Sequence, residues 1–459
     1  MPRIAILGGG IAGLAAALRA RELAAEHRMS IEISLYEREA RVGGCVQTVR
    51  ENGFVMELGP DSLLVDKPAA ASLLQRLNLR DAVLDIRAES KGARIVHRGR
   101  LRPIPPQFRL FSPTSLPALL RSGIFSPLGI TRAAMEAFIP ARQDRTDESV
   151  ASFVTRRFGR EVLDRLAQPL IGGIYSGDPQ RLGMRATLPQ FLELERRYGS
   201  LLRGMQNRPA NSAPVRLASL ERGIGSIVET LQSQVADQIS TGADVVRIRR
   251  ESGVWTITFA DRSSTQADAV VCALPAHAAA NLLRESNLQI AELLERIRYN
   301  SIATVNLVYS ARDARLPRAT GFVVPFVERR GITAATFATQ KYRHRAPDGS
   351  VLVRAFIGGA LQPHLVQHSD EELAGIAHRE LAQLCGVSVG PQRTIVARWN
   401  RLLPEYGVGH VELVDEIERR AATLGGLAFA GSAYRGVGIP DCIATGEAGA
   451  ESAFGYIRR

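Results

Sequence analysis

The sequence predicts a mixed α/β fold with a parallel sheet, and three stretches of the chain carry this prediction. Residues 4–7 form a short apolar run that ends in three glycines, after which apolar residues recur at helical spacing. Residues 31–36 alternate between apolar and polar side chains, which is typical of a strand. Residues 427–430 resemble a last strand that enters a glycine-rich turn before a helix of small residues. Strand, turn, helix and strand in this order predict a βαβ unit, whose strands are parallel.

Between the N-terminal and C-terminal stretches just described, the composition and the residue pattern of the chain change twice. Residues 98–222 contain helical segments broken by prolines and are rich in arginine, and residues 98–132 carry six arginines and no acidic residue. Strand-like runs return from residue 245, and a second group of them lies between residues 304 and 357. We therefore expect a basic helical region followed by a β-rich region.

Length, charge and cysteine content limit the classes of protein to which this chain could belong. A chain of 459 residues suggests about three domains, and the formal charge of +12 favours an anionic partner such as an acidic membrane surface or a carboxylated small molecule. A nucleic-acid partner is not expected, because no helix-turn-helix, finger or RNA-binding signature accompanies the basic run. The four cysteines lie far apart, which predicts neither a disulfide framework nor a zinc site. No basic leader or long uncharged apolar stretch is present, so we expect a cytoplasmic protein that does not span a membrane.

The glycines after the first strand form a G-x-G-x-x-G motif, which predicts a Rossmann-like dinucleotide site. The motif comprises Gly8, Gly9, Gly10, Ile11, Ala12 and Gly13. The first glycine makes the tight turn, the second lets the backbone approach a pyrophosphate, and the third lets the helix pack on the sheet. Glu37 ends the second strand, where an acidic side chain accepts hydrogen bonds from ribose hydroxyls.

A second glycine pair favours FAD over NAD. Gly43 and Gly44 follow Glu37 closely, as in flavoproteins where another backbone turn packs against the FAD pyrophosphate. A helix that begins near Pro440 could direct its positive end at the flavin and stabilise its anionic reduced form, or could be an ordinary proline-initiated helix. No cysteine lies in a recognisable flavin-linking motif, so non-covalent FAD is the expected cofactor.

Taken together, these segments resemble the flavin amine oxidase superfamily and, within it, the protoporphyrinogen and coproporphyrinogen oxidases. The resemblance covers nearly the whole chain and includes G-G-I-Y-S-G-D at residues 172–178, L-P-Q-F at 188–191 and G-I-P-D-C-I at 438–443. Residues 59–62, followed by Lys67, resemble the Gram-positive bacterial type, whose usual substrate is coproporphyrinogen III. Plant and animal members carry an arginine near the position of Asp61, so this chain departs from that branch.

The resemblance implies three domains. Residues 1–90, 215–280 and 395–459 would form a discontinuous Rossmann-like FAD-binding domain, residues 95–210 a basic helical membrane-associating insertion, and residues 281–394 a β-rich substrate domain. Beyond the glycine motif, the implied cofactor contacts are Glu37, Arg38, Gly44, Gly59, Pro60, Asp61, Ser62, the backbone of Val246, Trp399, Val437, Gly438 and Ile439.

The implied reaction is the removal of six hydrogens from a porphyrinogen, with molecular oxygen as the acceptor and hydrogen peroxide as the product. The resemblance places the backbone of Gly173, next to Ile174, against the macrocycle as the candidate catalytic element. Lys67 could pair with a substrate propionate, or could be an ordinary surface lysine. Phe322 and Phe356 could pack on pyrrole rings, or could be core residues.

Other functions remain open at this level. An amine oxidase would place a lysine beside the flavin, whereas no lysine lies between Lys91 and Lys341. A carotenoid-type desaturase would need an apolar tunnel rather than carboxylate-binding cations, and a flavin-binding scaffold would show no turnover. The histidines follow no metal-ligand spacing, so no metal site is expected. The expected partners are a porphyrinogen, oxygen, the inner face of the cell membrane and the next enzyme of haem synthesis.

Overall fold

The first strand of the chain lies in the middle of a parallel sheet. The computed structural model describes residues 1–90, 92–104, 108–113, 116–121, 123–207 and 216–459, so Lys91 and parts of the predicted 95–210 region lie outside the described residues. Five strands of the described chain form the parallel sheet. In spatial order they are Ile239–Thr241, Glu32–Glu37, Arg3–Leu7, Ala269–Cys272 and Leu427–Phe429.

Alternation along the first strand builds a core on each face of this sheet. Ile4 and Ile6 are buried on one face, and Ala5 and Leu7 are buried on the other, as the two-residue period of a strand requires. The elements that pack on the first face are the helices Ile11–Glu26, Pro68–Arg76, Gly225–Gln234 and Ile439–Ile457. Those on the second face are the three-stranded sheet Val245–Glu251, Val254–Phe259 and Ser264–Ala267 and the helices Ala276–Leu283, Leu288–Glu295 and His410–Leu424.

A second, mainly antiparallel sheet contains seven strands of the described chain. In spatial order they are Arg393–Glu405, Arg298–Ser310, Ser350–Gly358, Ala334–Phe337, Gly321–Val323, Arg94–His97 and Arg100–Pro103. The helix Asp370–Cys385 packs against it, with a short helix Ala338–Lys341 and 3₁₀ turns at Phe326–Glu328 and Pro363–Gln367. Smaller pairings join Thr48–Glu51 to Phe54–Glu57, Leu217–Leu220 to Leu63–Leu64 and Val83–Asp85, and Phe108–Arg109 to Ser112–Pro113.

The two ends of this sheet differ from the boundaries expected from the sequence. Residues 94–103, at the start of the predicted helical region, form a hairpin on the edge of the sheet. Arg98 and Gly99 both have positive φ, which is typical of a tight two-residue hairpin turn. At the other edge, Arg393–Glu405 pairs with Arg298–Ser310, so the strand that carries Trp399 belongs to this sheet and crosses the predicted boundary at residue 394.

The rest of the basic region is mainly helical and has its own apolar core. Its helical elements are Leu116–Arg121, Pro127–Ala134, Met135–Phe138, Val150–Phe158, Arg160–Val162, Leu163–Ala167, Gln168–Tyr175, Met184–Thr187, Pro189–Tyr198 and Leu201–Gln206. Arg132 donates to the carbonyls of Thr155, Arg156 and Arg157 at the end of helix Val150–Phe158. This arginine therefore holds the unit together and is not a free surface charge.

Candidate active site

The glycine motif adopts the geometry that its spacing predicts. Gly8 has a φ of +100°, a backbone conformation that favours glycine. A Cβ built on Gly13 would lie 1.9 Å from the Gly8 carbonyl oxygen, so only glycine lets the first helix approach the strand. A Cβ built on Gly10 would meet no described atom within 4 Å. Gly10 therefore borders open space at the start of helix Ile11–Glu26, where unpaired N–H groups attract an anion.

The second glycine turn lies directly against the first. The Gly43 amide donates to the Gly9 carbonyl at 2.7 Å, and a Cβ built on Gly44 would lie 3.5 Å from the Gly10 Cα. Gly44 has a φ of +56°, which again favours glycine. Two glycine turns in contact form a cradle that fits a pyrophosphate.

Glu37 lies beside this cradle, but part of its hydrogen-bonding capacity is already used. One carboxylate oxygen accepts from the Gly9 amide at 2.6 Å and the other accepts from the Glu39 amide at 2.9 Å. The remaining lone pairs can still accept from a ribose. The neighbouring Arg38 side chain is 70% exposed and pairs with Glu39 at 3.1 Å.

Val246 occupies an interruption in its strand. The pairing of Val245–Glu251 with Val254–Phe259 shifts register between Val245 and Arg247, as in a β-bulge. Val246 is 46% exposed. A bulge frees backbone groups from the ladder, which is what a backbone contact to adenine would need.

Residues 57–59 are held by side chains of the antiparallel sheet. Thr304 Oγ1 and Trp399 Nε1 donate to the Leu58 carbonyl at 2.6 and 2.9 Å, and Asn306 Nδ2 donates to the Glu57 carbonyl at 3.1 Å. Arg354 Nη1 donates to the Gly59 carbonyl at 2.5 Å. Side chains of the antiparallel sheet therefore hold the segment that is expected to contact the flavin.

Asp61, on the same segment, lies in a buried cluster that the sequence did not reveal. Its carboxylate contacts the Lys341 ammonium and the Arg354 guanidinium at 3.0 and 3.1 Å. Burial would raise the pKa of the Asp61 carboxyl, but these two cations outweigh it and hold the pKa well below its usual range. The scarcity of lysine in the chain was the signal that could have drawn attention to Lys341.

The C-terminal glycine turn is fixed by Tyr406. The Tyr406 hydroxyl donates to the Ser432 carbonyl at 2.6 Å and accepts from the Gly436 amide at 2.8 Å. The segment from Val437 to Ile439 leads into the last helix, Ile439–Ile457, which packs on the first helix. A Cβ built on Gly446 would lie 2.1 Å from the Ala12 carbonyl oxygen, so this contact also requires glycine.

Lys67 is paired with Asp441, in the first turn of the last helix. Lys67 Nζ lies 2.6 Å from Asp441 Oδ1, and the two side chains are 38% and 24% exposed. Asp441 Oδ2 also accepts from the Gly438 amide at 3.3 Å. The expected free cation therefore has a carboxylate partner, and the expected positive helix end carries a negative side chain.

Gly173 and Ile174 lie on the exposed side of helix Gln168–Tyr175. Ile174 is 53% exposed, and Gly173 is also exposed. The next residue, Tyr175, has its pKa raised to about 12 by burial and by nearby Asp441. Its phenol is therefore neutral at ordinary pH, which makes it a poor base, and its interaction with Asp441 relates this helix to the Lys67 pair.

The two candidate aromatic residues have different environments. Phe322 is 2% exposed and packs 5.7 Å from Phe337 in the core of the antiparallel sheet, so its ring has no open face. This environment is the core packing that is the alternative role of Phe322. Phe356 is half-buried, and the guanidinium of Arg354 lies 4.9 Å from the centre of its ring.

Within the described ranges, no group of three or more His, Cys, Asp or Glu side chains is placed to hold a metal ion. No helix in the part of the chain that the structure describes is long and apolar enough to cross a membrane.

Comparisons with known proteins agree with this architecture. The family model for flavin containing amine oxidoreductases matches residues 11–453. The coproporphyrinogen III oxidase of Bacillus subtilis is 33% identical over 99% of this chain and 98% of its own length. The chloroplastic protoporphyrinogen oxidase 1 of Arabidopsis thaliana is 28% identical over 95% of this chain and 85% of its own length.

A solved structure is similar over the same length. The crystal structure of a candidate protoporphyrinogen oxidase from Exiguobacterium sp. 255-15 superposes with a TM-score of 0.88 at 31% identity, covering 100% of this chain and 99% of that one. The chain therefore belongs to the flavin-containing amine oxidoreductase family. The expected superfamily and a flavin cofactor are confirmed at this level.

Proposed function

We propose that this protein is an FAD-dependent porphyrinogen oxidase that uses coproporphyrinogen III as its preferred substrate and oxygen as its acceptor. The observation that carries the proposal is the cradle of two touching glycine turns, in which Gly10 borders open space. Similarity to a coproporphyrinogen III oxidase along 99% of the chain supports the choice of substrate class.

We assign FAD binding to the unit built on the parallel sheet. The Gly8–Gly13 and Gly43–Gly44 turns would hold the pyrophosphate, Glu37 the ribose, and the bulge at Val246 the adenine. Residues 59–62, Trp399 and residues 437–439 would surround the flavin ring. Bound non-covalently, FAD supplies hydride acceptance from carbon and electron transfer to oxygen.

The substrate would lie where the antiparallel sheet faces the helical part of the basic region, residues 116–206. The exposed backbone of Gly173 would face the macrocycle there, and Ile174 and Phe356 would supply apolar contacts. Lys67 would bind a propionate by exchanging its Asp441 partner for the substrate carboxylate. The pyrrole N–H groups become acidic as conjugation develops, so these residues position the substrate rather than abstract a proton with a strong base.

The helical unit would touch an acidic membrane at the cytoplasmic face. Leu120, Leu128, Met135 and Phe138 are large apolar side chains that are exposed in this basic stretch, between 52% and 83%. Apolar side chains beside arginines are typical of an interfacial membrane contact. The next enzyme of haem synthesis remains an expected partner.

The first experiment identifies the cofactor and the substrate together. Acid precipitation should release a yellow cofactor identified as FAD, and the holoenzyme should oxidise coproporphyrinogen III faster than protoporphyrinogen IX, with three hydrogen peroxide formed per porphyrin. Retained colour in the pellet, or bound NAD, would contradict the cofactor. Turnover of an amine or a carotenoid with none of either porphyrinogen would favour the alternative functions.

A further inference from the structure

Two cations surround the single carboxylate of Asp61, which lies on the segment that we propose to contact the flavin. Lys341 Nζ lies 3.0 Å from both carboxylate oxygens and 2.8 Å from Ser62 Oγ. Arg354 Nη2 lies 3.1 Å from Asp61 Oδ2. The side chains of Lys341 and Arg354 are only 10% and 5% exposed, so this cluster is largely shielded from water.

The hydrogen bonds define the charge of Lys341. Ser62 Oγ donates its hydrogen to Asp61 at 2.7 Å, so it can only accept from Lys341. Its third neighbour, the Tyr342 hydroxyl at 2.7 Å, must then be a donor. Three acceptors around Nζ match the three N–H bonds of an ammonium ion, so Lys341 is protonated although burial lowers its pKa.

The surroundings do not cancel the excess positive charge. Arg345 is a third buried cation, and its Nη2 donates to Ser219 Oγ at 2.7 Å rather than to a carboxylate. Glu57 is the second buried carboxylate nearby, and burial raises its pKa. Whether Glu57 is ionised or neutral, the cations outnumber the anions in this group.

Charge neutrality at Asp61 would not need the second cation. One buried lysine would neutralise one aspartate, whereas an additional buried charge is costly, and apolar residues in its place are often as stable. Arg354 also donates to the Gly59 carbonyl, so its positive charge lies directly against the backbone of residues 59–62.

We propose that the Asp61–Lys341–Arg354 cluster is an electrostatic device that stabilises the reduced, electron-rich state of the flavin and so raises its reduction potential. The inference rests on the proposed FAD function. The first turn of the last helix carries Asp441, whose charge is paired with Lys67, so the side chains at that helix end add no net positive charge. Lys341 and Arg354 are therefore positioning residues that act on the cofactor through a fixed charge.

The test is the midpoint potential of the purified holoenzyme and four variants. Lys341→Gln and Arg354→Gln remove a charge and keep a hydrogen-bond donor, while Lys341→Arg and Arg354→Lys keep the charge. Each charge-removing variant should change the oxidised-to-reduced ratio at a fixed potential by about tenfold, a shift of about 30 mV to more negative values for a two-electron couple. The charge-keeping variants should retain the wild-type potential.

Other results would overturn the inference. They are an unchanged potential in FAD-loaded charge-removing variants, equal shifts in all four variants, and flavin loss from both charge-removing variants while their apoproteins unfold at the wild-type temperature. The last result would make the cluster a binding element instead. The absence of FAD from the wild-type protein would refute the proposed function itself, which is a different outcome.

Discussion

Lys67 and Asp441 join two distant parts of the chain by an ion pair with an N–O distance of 2.6 Å. Lys67 follows the segment proposed to contact the flavin, and Asp441 lies in the first turn of the last helix. Both side chains keep some exposure, and an ion pair of this kind contributes about 1 kcal/mol or less. In the proposed binding mode, a substrate carboxylate would therefore replace Asp441 at little cost.

Removing the lysine should weaken binding of the substrate with more carboxylates. Lys67→Met should raise KM for coproporphyrinogen III by about fivefold, since a contact of about 1 kcal/mol is lost, and should change protoporphyrinogen IX less. Steady-state kinetics on both substrates measures this. Equal loss on both would assign Lys67 to the flavin or the fold, and no loss on either would make it an ordinary surface residue.

Neutralising the partner should have the opposite effect. Asp441→Asn keeps an oxygen that can accept from the Gly438 amide but leaves the Lys67 charge uncompensated. KM for coproporphyrinogen III should fall by about threefold, because the ion pair no longer competes with the substrate. The double variant with Lys67→Met should lose this gain. A gain that persists in the double variant would show that Asp441 acts without Lys67.

Two glycines of one motif should respond differently to the same change. Gly10→Ala places a methyl group in open space and should abolish FAD retention while changing apoprotein stability by about 1 kcal/mol or less, the scale of a cap substitution. Gly13→Ala places the methyl 1.9 Å from a backbone oxygen and should lower the apoprotein unfolding temperature. Thermal unfolding and flavin absorbance distinguish the two. Normal FAD content in Gly10→Ala would remove this glycine from the cofactor site.

Much of this site followed from local patterns, because glycine turns report backbone geometry directly. The roles of Gly8, Gly10 and Gly13 depend on a few consecutive residues, and the structure gives them that geometry. The Asp61 cluster does not follow from a local pattern, since Asp61 and Lys341 are 280 positions apart and meet only in the folded chain. The Lys67–Asp441 pair depends on a similarly distant contact. The sequence did not predict the hairpin at Arg98 for a different reason. The two residues with positive φ in its turn are an Arg-Gly pair inside an arginine-rich run.

Buried His410 should make the protein less stable in mild acid. Its ring stacks on Tyr406 at 4.0 Å and its Nε2 lies 3.2 Å from the Tyr434 carbonyl, to which it donates. Burial lowers its pKa from 6.5 to about 4, so between these values the unfolded chain binds a proton that the folded one does not. The contribution of neutral His410 to the free energy of unfolding is therefore complete above pH 6.5. It is lost as the pH drops towards 4, by up to about 3 kcal/mol.

Unfolding curves at several pH values test this linkage. His410→Gln should flatten the change in stability across that window, and the same substitution at exposed His364 is the matched control. An equal pH dependence in wild-type protein and His410→Gln would show that other groups account for the acid sensitivity.

Exposed apolar residues of the basic helical region should bind an anionic membrane surface. Leu128 and Phe138 are 83% and 82% exposed, and each could bury a side chain worth about 1.5–3 kcal/mol in the edge of a membrane. Lipid phosphates would add about 1 kcal/mol for each arginine near the surface, although Arg132 is already bonded within the fold.

Wild-type protein should therefore sediment with anionic vesicles in a salt-sensitive manner. Leu128→Ser with Phe138→Ser should reduce that binding at least tenfold, whereas Leu288→Ser with Val389→Ser, at residues outside this region that are 53% and 52% exposed, should leave it unchanged. Equal binding to neutral and anionic vesicles would refute the electrostatic part, and equal loss in both double variants would refute a contact centred on this unit.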